Sequence, residues 1–244
     1  MRKELSCACW ILLSLLLLAG CGETSNQNRN HSNVANNTVT NNNQAKSYND
    51  WTTIKVEGEI EFQIPPTMEM QSEEWKGIEN IIPNFINDVT DNGKIQRIVA
   101  HQKGLNQHEG NAKERYARLI IKIGKESEEV YPKWGEDISF SNEDLKYAEE
   151  GLIIGVMKMQ PEYKLVGISQ KMKAIKVNGI SCLNMKYETQ WGDRPVVKND
   201  VYMFFNKDRI YILQTLIRST EYEYWTSKDA DMRNIVYTFK PCKS

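Results

Sequence analysis

The sequence predicts an α+β fold, a twisted and mostly antiparallel sheet with helices on each of its faces. Three observations carry that expectation. Segments 196–205 and 209–218 are apolar on both faces, and a strand apolar on both faces has to be covered on both. Asn178-Gly179 lies between two strand-like runs, and this dipeptide is favoured in two-residue hairpin turns. Behind Ser141, apolar residues recur at helical spacing.

The chain opens with a different kind of segment. Arg2 and Lys3 precede an apolar run, 10–18, interrupted only by Ser14. Charge followed by an apolar stretch is the build of a secretory leader. The run is about half of the roughly 20 residues that cross a bilayer as a helix, so it is not read as a membrane span. Leu18-Ala19-Gly20-Cys21 closely resembles the lipobox of bacterial lipoproteins. That resemblance implies cleavage before Cys21, a diacylglyceryl group on its thiol, and acylation of the new amino terminus. Two or more acyl chains anchor stably where one binds reversibly. Gly22 follows the cysteine, so no aspartate resembles an inner-membrane retention signal. The expected location is extracytoplasmic: the periplasmic face of the outer membrane in a two-membrane cell, otherwise the outer face of the plasma membrane.

The expected organisation is a signal peptide over 1–20, a lipidated Cys21 with an Asn-rich tether over 21–50, and one globular domain over 51–244. The tether is Asn, Ser, Thr, Gln and Gly, with Val34 and Val39 as its only large apolar residues. Such a composition buries too little apolar surface to offset ordering entropy and is expected to be disordered. About 28 residues of flexible coil reach roughly 30 Å on average and about 100 Å when extended. It serves either to let the domain reach partners away from the lipid or as a spacer for export. The remaining ~190 residues suit one domain with a sizeable core.

Within the domain, Ile54 and Val56 alternate, then Ile60, Phe62 and Ile64, and Pro65-Pro66 stops the pair. Met68 and Met70 begin a short edge strand. Segment 78–89, with Pro83 inside, stays unassigned. Residues 97–103 form a strand followed by a polar loop through Gly110, and 118–123 form another with Leu119, Ile121 and Ile123 on one face. Ser141 and Asp144 form a variant capping box; Leu145, Ala148, Leu152, Ile153, Val156 and Met159 make the buried stripe of the helix it starts. Met157 and Met159 are read as core filling. Strands 173–177 and 180–189 flank the Asn178-Gly179 turn, 190–195 is a loop, and 196–205 and 209–218 form a hairpin across Asn206-Lys207-Asp208. A helix over 227–234 and a terminal strand over 236–239 close the chain.

Several of these segments together resemble a PsbP-like (Mog/PsbP-type) domain. The resemblance spans 54–239. It is carried by Ile60-Glu61-Phe62-Gln63-Ile64-Pro65, the Asn178-Gly179 hairpin, Tyr202-Met203-Phe204, Ile210-Tyr211-Ile212-Leu213, Trp225 and Tyr237-Thr238-Phe239. It implies an α/β/α sandwich and a non-enzymatic role in binding another protein, assisting assembly or acting as an adaptor. It brings no shared catalytic residues.

Composition narrows the partners. A formal net charge of −1, with 31 Lys+Arg against 32 Asp+Glu and no basic block, gives no footprint for nucleic acid. Of five cysteines, Cys7 and Cys9 leave with the leader and Cys21 carries lipid. Cys182 and Cys242 remain in a compartment that permits oxidation. A bridge would close a loop of roughly 60 residues and stabilise by about 4 kcal/mol in the chain-entropy treatment; the other reading is two separate thiols. His101, His108 and Glu109 match no zinc spacing and are read as solvated loop residues. Glu149-Glu150 is read as a solvated helix face. No catalytic, cofactor or metal site is assigned.

The best surface candidate is the 191–195 loop. Trp191 and Arg194 are residue types favoured as interface anchors, and the alternative is Trp191 folding back onto the core. Trp225, with Tyr222 and Tyr224, is read as core and core edge. The expected function is a lipid-anchored protein-binding or assembly module acting on an envelope protein. The alternatives are a carrier of a small apolar or metal ligand, which requires a closed pocket, and an envelope enzyme of unrecognised type.

Overall fold

The computed structural model describes residues 47–56, 59–75, 89–90, 93–94, 96–158, 162–227 and 231–242. The leader, Cys21, most of the tether and Met159 lie outside them, as does segment 78–89 apart from Val89.

A seven-stranded antiparallel sheet, in the order β3-β6-β7-β11-β10-β9-β8, forms the body of the molecule. Its strands are β3 (Met68–Met70), β6 (Gln96–Gln102), β7 (Ala117–Lys125), β8 (Tyr163–Val177), β9 (Ile180–Trp191), β10 (Val197–Asn206) and β11 (Arg209–Arg218). A separate three-stranded sheet pairs β2 (Ile60–Ile64) with β1 (Thr52–Val56) on one side and β12 (Lys240–Pro241) on the other. Val89–Thr90 (β4) and Gly93–Lys94 (β5) make a small ladder. Among the described residues the helices are α1 (Gly110–Glu114), α2 (Asn142–Lys158) and α3 (Tyr222–Trp225), with 3-10 helices over Ser219–Glu221 and Met232–Thr238 and helical residues at 73–75. The fold is therefore α+β around a large antiparallel sheet, as expected.

The two-sided apolar strands explain the layering. On one face Tyr202, Phe204, Tyr211 and Leu213 join Phe62, Trp225, Ile235 and Phe239 in the larger core; there the rings of Phe204 and Phe239 stack at 4.1 Å. On the other, Leu183, Met185, Met203 and Phe205 pack with Ala148, Leu152 and Val156 of α2. The first face is covered by short helical segments together with the small sheet, and the second by α2.

Local chemistry sets the boundaries. Ser141 Oγ accepts from the Asp144 N–H at 3.1 Å and Asp144 Oδ2 accepts from the Ser141 N–H at 2.7 Å, the reciprocal pair of a capping box. Asn178 (φ 53°) and Gly179 (φ 80°) both take the left-handed conformation of a type I′ turn. The Asn178 side-chain amide also donates to the carbonyls of Tyr237 and Phe239, tying this hairpin to the chain terminus. The packed chain already includes Tyr48, whose ring stacks on Trp51 at 4.3 Å and whose N–H donates to Gln63.

Four expectations change. The closing segment 236–239 is not a strand: it ends the 3-10 helix, and the terminal strand is β12 just beyond. Met232, Ile235, Val236 and Phe239 are buried at helical spacing, and Asp231 caps the first turn through the Arg233 N–H. The polar loop before Gly110 continues into α1. β8 begins ten residues before the predicted strand start, and its register shifts at three places hide the alternation. Met157 is not core filling: it is 54% exposed, because it lies off the stripe that Ala148, Leu152 and Val156 bury.

Candidate functional site

The 191–195 loop closes the end of the sheet where β9 turns into β10. Tyr163 pairs with Trp191 across the β8–β9 ladder, so the loop stands beside the residue that enters β8, Glu162. Gly192 (φ 53°) turns the chain. Its N–H donates to the Glu162 carbonyl at 3.1 Å, the Arg194 N–H donates to the Trp191 carbonyl at 3.0 Å, and the Gln190 amide donates to the Arg194 carbonyl at 2.9 Å.

The side chains of the loop make contacts of their own. Trp191 Nε1 donates to Glu162 Oε2 at 2.9 Å, and the Arg194 guanidinium sits 4.1 Å from the centre of the Trp191 ring. A cation over an exposed indole face contributes about 0.5–1 kcal/mol. Trp191 is half-buried and Arg194 exposed, and Trp191 belongs to none of the buried clusters. The tryptophan thus stays at the surface, held from one side by a carboxylate and from the other by a guanidinium. Such an arrangement holds an indole and a guanidinium in mutual contact at the end of the sheet, and a contact already made in the free chain lowers the entropy cost of binding.

Beneath the loop, a buried polar network fixes the neighbouring strands. Asn199 Nδ2 donates to Thr189 Oγ1 at 3.0 Å, and Gln214 Nε2 donates to Asn199 Oδ1 at 3.0 Å and to the Tyr187 hydroxyl at 3.1 Å. Burial pushes the Tyr187 phenol up from its ordinary range. Polar groups satisfied in this way hold one register, since a slip leaves them buried and unpaired. Glu162 and this network were missed from sequence. Part of the signal was there in Gln214, a polar residue set inside an otherwise apolar run, whereas Asn199 sits between Lys198 and Asp200 and does not stand out.

The other sequence candidates resolve differently. His101 is not a solvated loop residue: it lies in β6 and is fully buried, with Nε2 3.0 Å from Asn106 Oδ1 and 3.6 Å from Glu69 Oε1. Val99, Ala100 and Gln102 around it are buried as well, so both faces of this end of β6 are covered and alternation alone does not mark His101 as buried. His108 sits on a turn, 3.4 Å from Glu74 Oε1, and Glu109 is exposed. Among the described residues, no group of three or more His, Cys, Asp or Glu stands close enough to hold a metal ion.

Cys182 and Cys242 stand as separate thiols in the structure, the second of the two readings. Cys182 lies near the start of β9, opposite Ile175 and Phe204 and fully buried. Cys242 follows β12 and donates its N–H to the Glu59 carbonyl. Glu149 is not merely a solvated carboxylate, since it accepts the Met172 N–H at 2.8 Å; Glu150 pairs with Lys146 at 3.8 Å. Trp225 is core as expected, and Tyr224 is exposed at its edge.

No protein-family model and no curated protein sequence matches the chain. Solved structures do. The cyanobacterial PsbP (CyanoP) of Synechocystis is 8% identical with a TM-score of 0.47, the likeness covering 80% of this chain and 94% of that one. The Ran-binding protein Mog1p of Saccharomyces cerevisiae is 12% identical with a TM-score of 0.38, over 78% and 94%. A protein of Bacteroides thetaiotaomicron is 9% identical with a TM-score of 0.41, over 80% of this chain and 50% of that one. The α+β assignment stands on the chain's own topology. At these scores the likenesses carry no argument about activity.

Proposed function

We propose that the chain is an extracytoplasmic lipoprotein, anchored through Cys21, whose domain is a non-enzymatic module that binds an envelope protein at the 191–195 end of the sheet. The observation that carries the reading is the preformed Trp191–Arg194 stack, braced by Glu162 at an exposed sheet end. Tryptophan and arginine supply much of the binding energy at interfaces, and here neither has to be ordered on association. The anchoring half of the reading rests on the lipobox-like Leu18-Ala19-Gly20-Cys21 behind its charged and apolar leader.

Each half has its own test. Cys21→Ser is expected to move the protein out of the membrane fraction and to abolish incorporation of labelled fatty acid; retention of both sinks the anchor. A photo-crosslinking residue placed at Asp193, which is exposed in the same loop, is expected to capture one dominant envelope protein. A ladder of unrelated products, no stronger than that from a probe at exposed Glu143 on α2, contradicts the binding site.

A further inference from the structure

We propose that the β8 edge of the sheet is a membrane-contact surface that lies against an anionic bilayer. β8 is the outermost strand, and its fifteen residues include four lysines and no Asp or Glu. Lys164, Lys171 and Lys173 are exposed, while Lys176 pairs with Asp137. Of the neighbouring carboxylates, Glu162 accepts from the Trp191 indole, Glu149 accepts from the Met172 N–H, and Glu188 lies opposite Gly167 on β9.

Apolar side chains are exposed along the same edge. Among the described residues, three of the four exposed large hydrophobic side chains are Met157 at 54%, Val166 at 50% and Ile168 at 36%. The Met172–Glu149 hydrogen bond fixes the height of α2 against β8. From it, Met157 lies about 12 Å along the helix and Ile168 about 13 Å along the strand, so the two come level. The ladder pairs Lys164 with Gln190 and Lys173 with Asn184 but Ile168 with Tyr187, so these ammonium groups and Ile168 leave the edge strand on opposite faces. An anionic headgroup layer set against the edge meets both, each lysine adding electrostatic attraction while the carbon stems enter the interface.

The same edge fits an added peptide strand poorly. Its pairing with β9 shifts register between Leu165 and Gly167, between Ile168 and Gln170, and between Gln170 and Lys173. Bulges of this kind break the regular row of backbone groups that strand addition needs. A bilayer makes no such demand. The surface also does not depend on Cys21, so it stands or falls apart from the anchor.

The test is sedimentation of the chain from Gly22 onward, which keeps every described residue, with vesicles of phosphatidylcholine alone or mixed with phosphatidylglycerol. Binding is expected only to the phosphatidylglycerol vesicles, weakening as salt is raised. Combined Lys164→Gln, Lys171→Gln and Lys173→Gln is expected to weaken it about a hundredfold, roughly fivefold for each lysine, with an unchanged thermal melt. Absence of binding to phosphatidylglycerol vesicles overturns the proposal, as does binding that is insensitive to salt or survives in the triple variant. Capture of an acidic protein by the edge without vesicle binding overturns it equally.

Discussion

Cys182 and Cys242 show how differently two like residues behave once placed. Burial, with the Asp200 carboxylate as a second cause, pushes the Cys182 thiol well above its ordinary range, and a sealed, protonated thiol is inert. The chain from Gly22 onward is therefore expected to present one reactive thiol when native, at half-buried Cys242, and a second only on unfolding. Absence of any thiol in the unfolded, unreduced chain would mean that the bridge forms. Buried phenols point the same way in pH. Desolvation raises Tyr187 and Tyr202 as well as Cys182, so the native state favours their protonated forms. Their stabilisation is complete below the unfolded values, about 8.5 for cysteine and 10 for tyrosine, and fades as pH rises past them. The urea midpoint is expected to be flat near neutrality and to fall above about pH 8.5; a midpoint that holds at alkaline pH contradicts this assignment.

Among the elements, the clearest start and turn signals have measurable consequences. Ser141→Ala removes one partner of the reciprocal cap on α2 and is expected to lower unfolding free energy by about 1 kcal/mol. Gly179→Ala has open space for its Cβ but a φ of +80°, so its cost, about 1 kcal/mol or more, is conformational alone. Equilibrium denaturation reads both, and no change in either case means that the local geometry is not what holds these elements. Signals of this kind made most elements legible beforehand: β1, β2, β3, β6, β7, α2 and the last two hairpins follow alternation, capping and turn chemistry. The misses have physical causes. In β8 the bulges let Val166 interrupt the alternation between Leu165 and Ile168. At the terminus, Val236 and Phe239 suit either a strand or a helix, and the contacts that choose the helix, from Asp231 and the β2–β12 pairing, are set by local caps and distant chain. The site was half legible. Trp191 and Arg194 stood out as residue types, but Glu162 lies 29 residues away from its indole partner, and no local pattern links them.

At the scale of the whole molecule, one sheet buries both faces, and among the described residues β8 forms one of its edges and the 191–195 loop one of its ends. The larger core joins the body of the sheet to the β1–β2–β12 sheet, and the smaller joins it to α2. Phe239, fully buried and stacked on Phe204, couples the end of the chain to that larger core. Phe239→Ala is expected to cost about 3–5 kcal/mol, measured as a drop in the denaturation midpoint. A small loss would mean that the terminus is not part of the cooperative unit. The loop at the sheet end is different in kind, because half-buried Trp191 lies outside the buried clusters and contacts exposed Arg194 and Glu162 instead. The most direct test is a crosslinking pull-down from intact membranes, comparing the native protein with Trp191→Ala plus Arg194→Ala. The binding account predicts one dominant protein partner, lost in the variant while its thermal melt is unchanged. An unchanged partner in the variant, or no reproducible partner from the native protein, contradicts it.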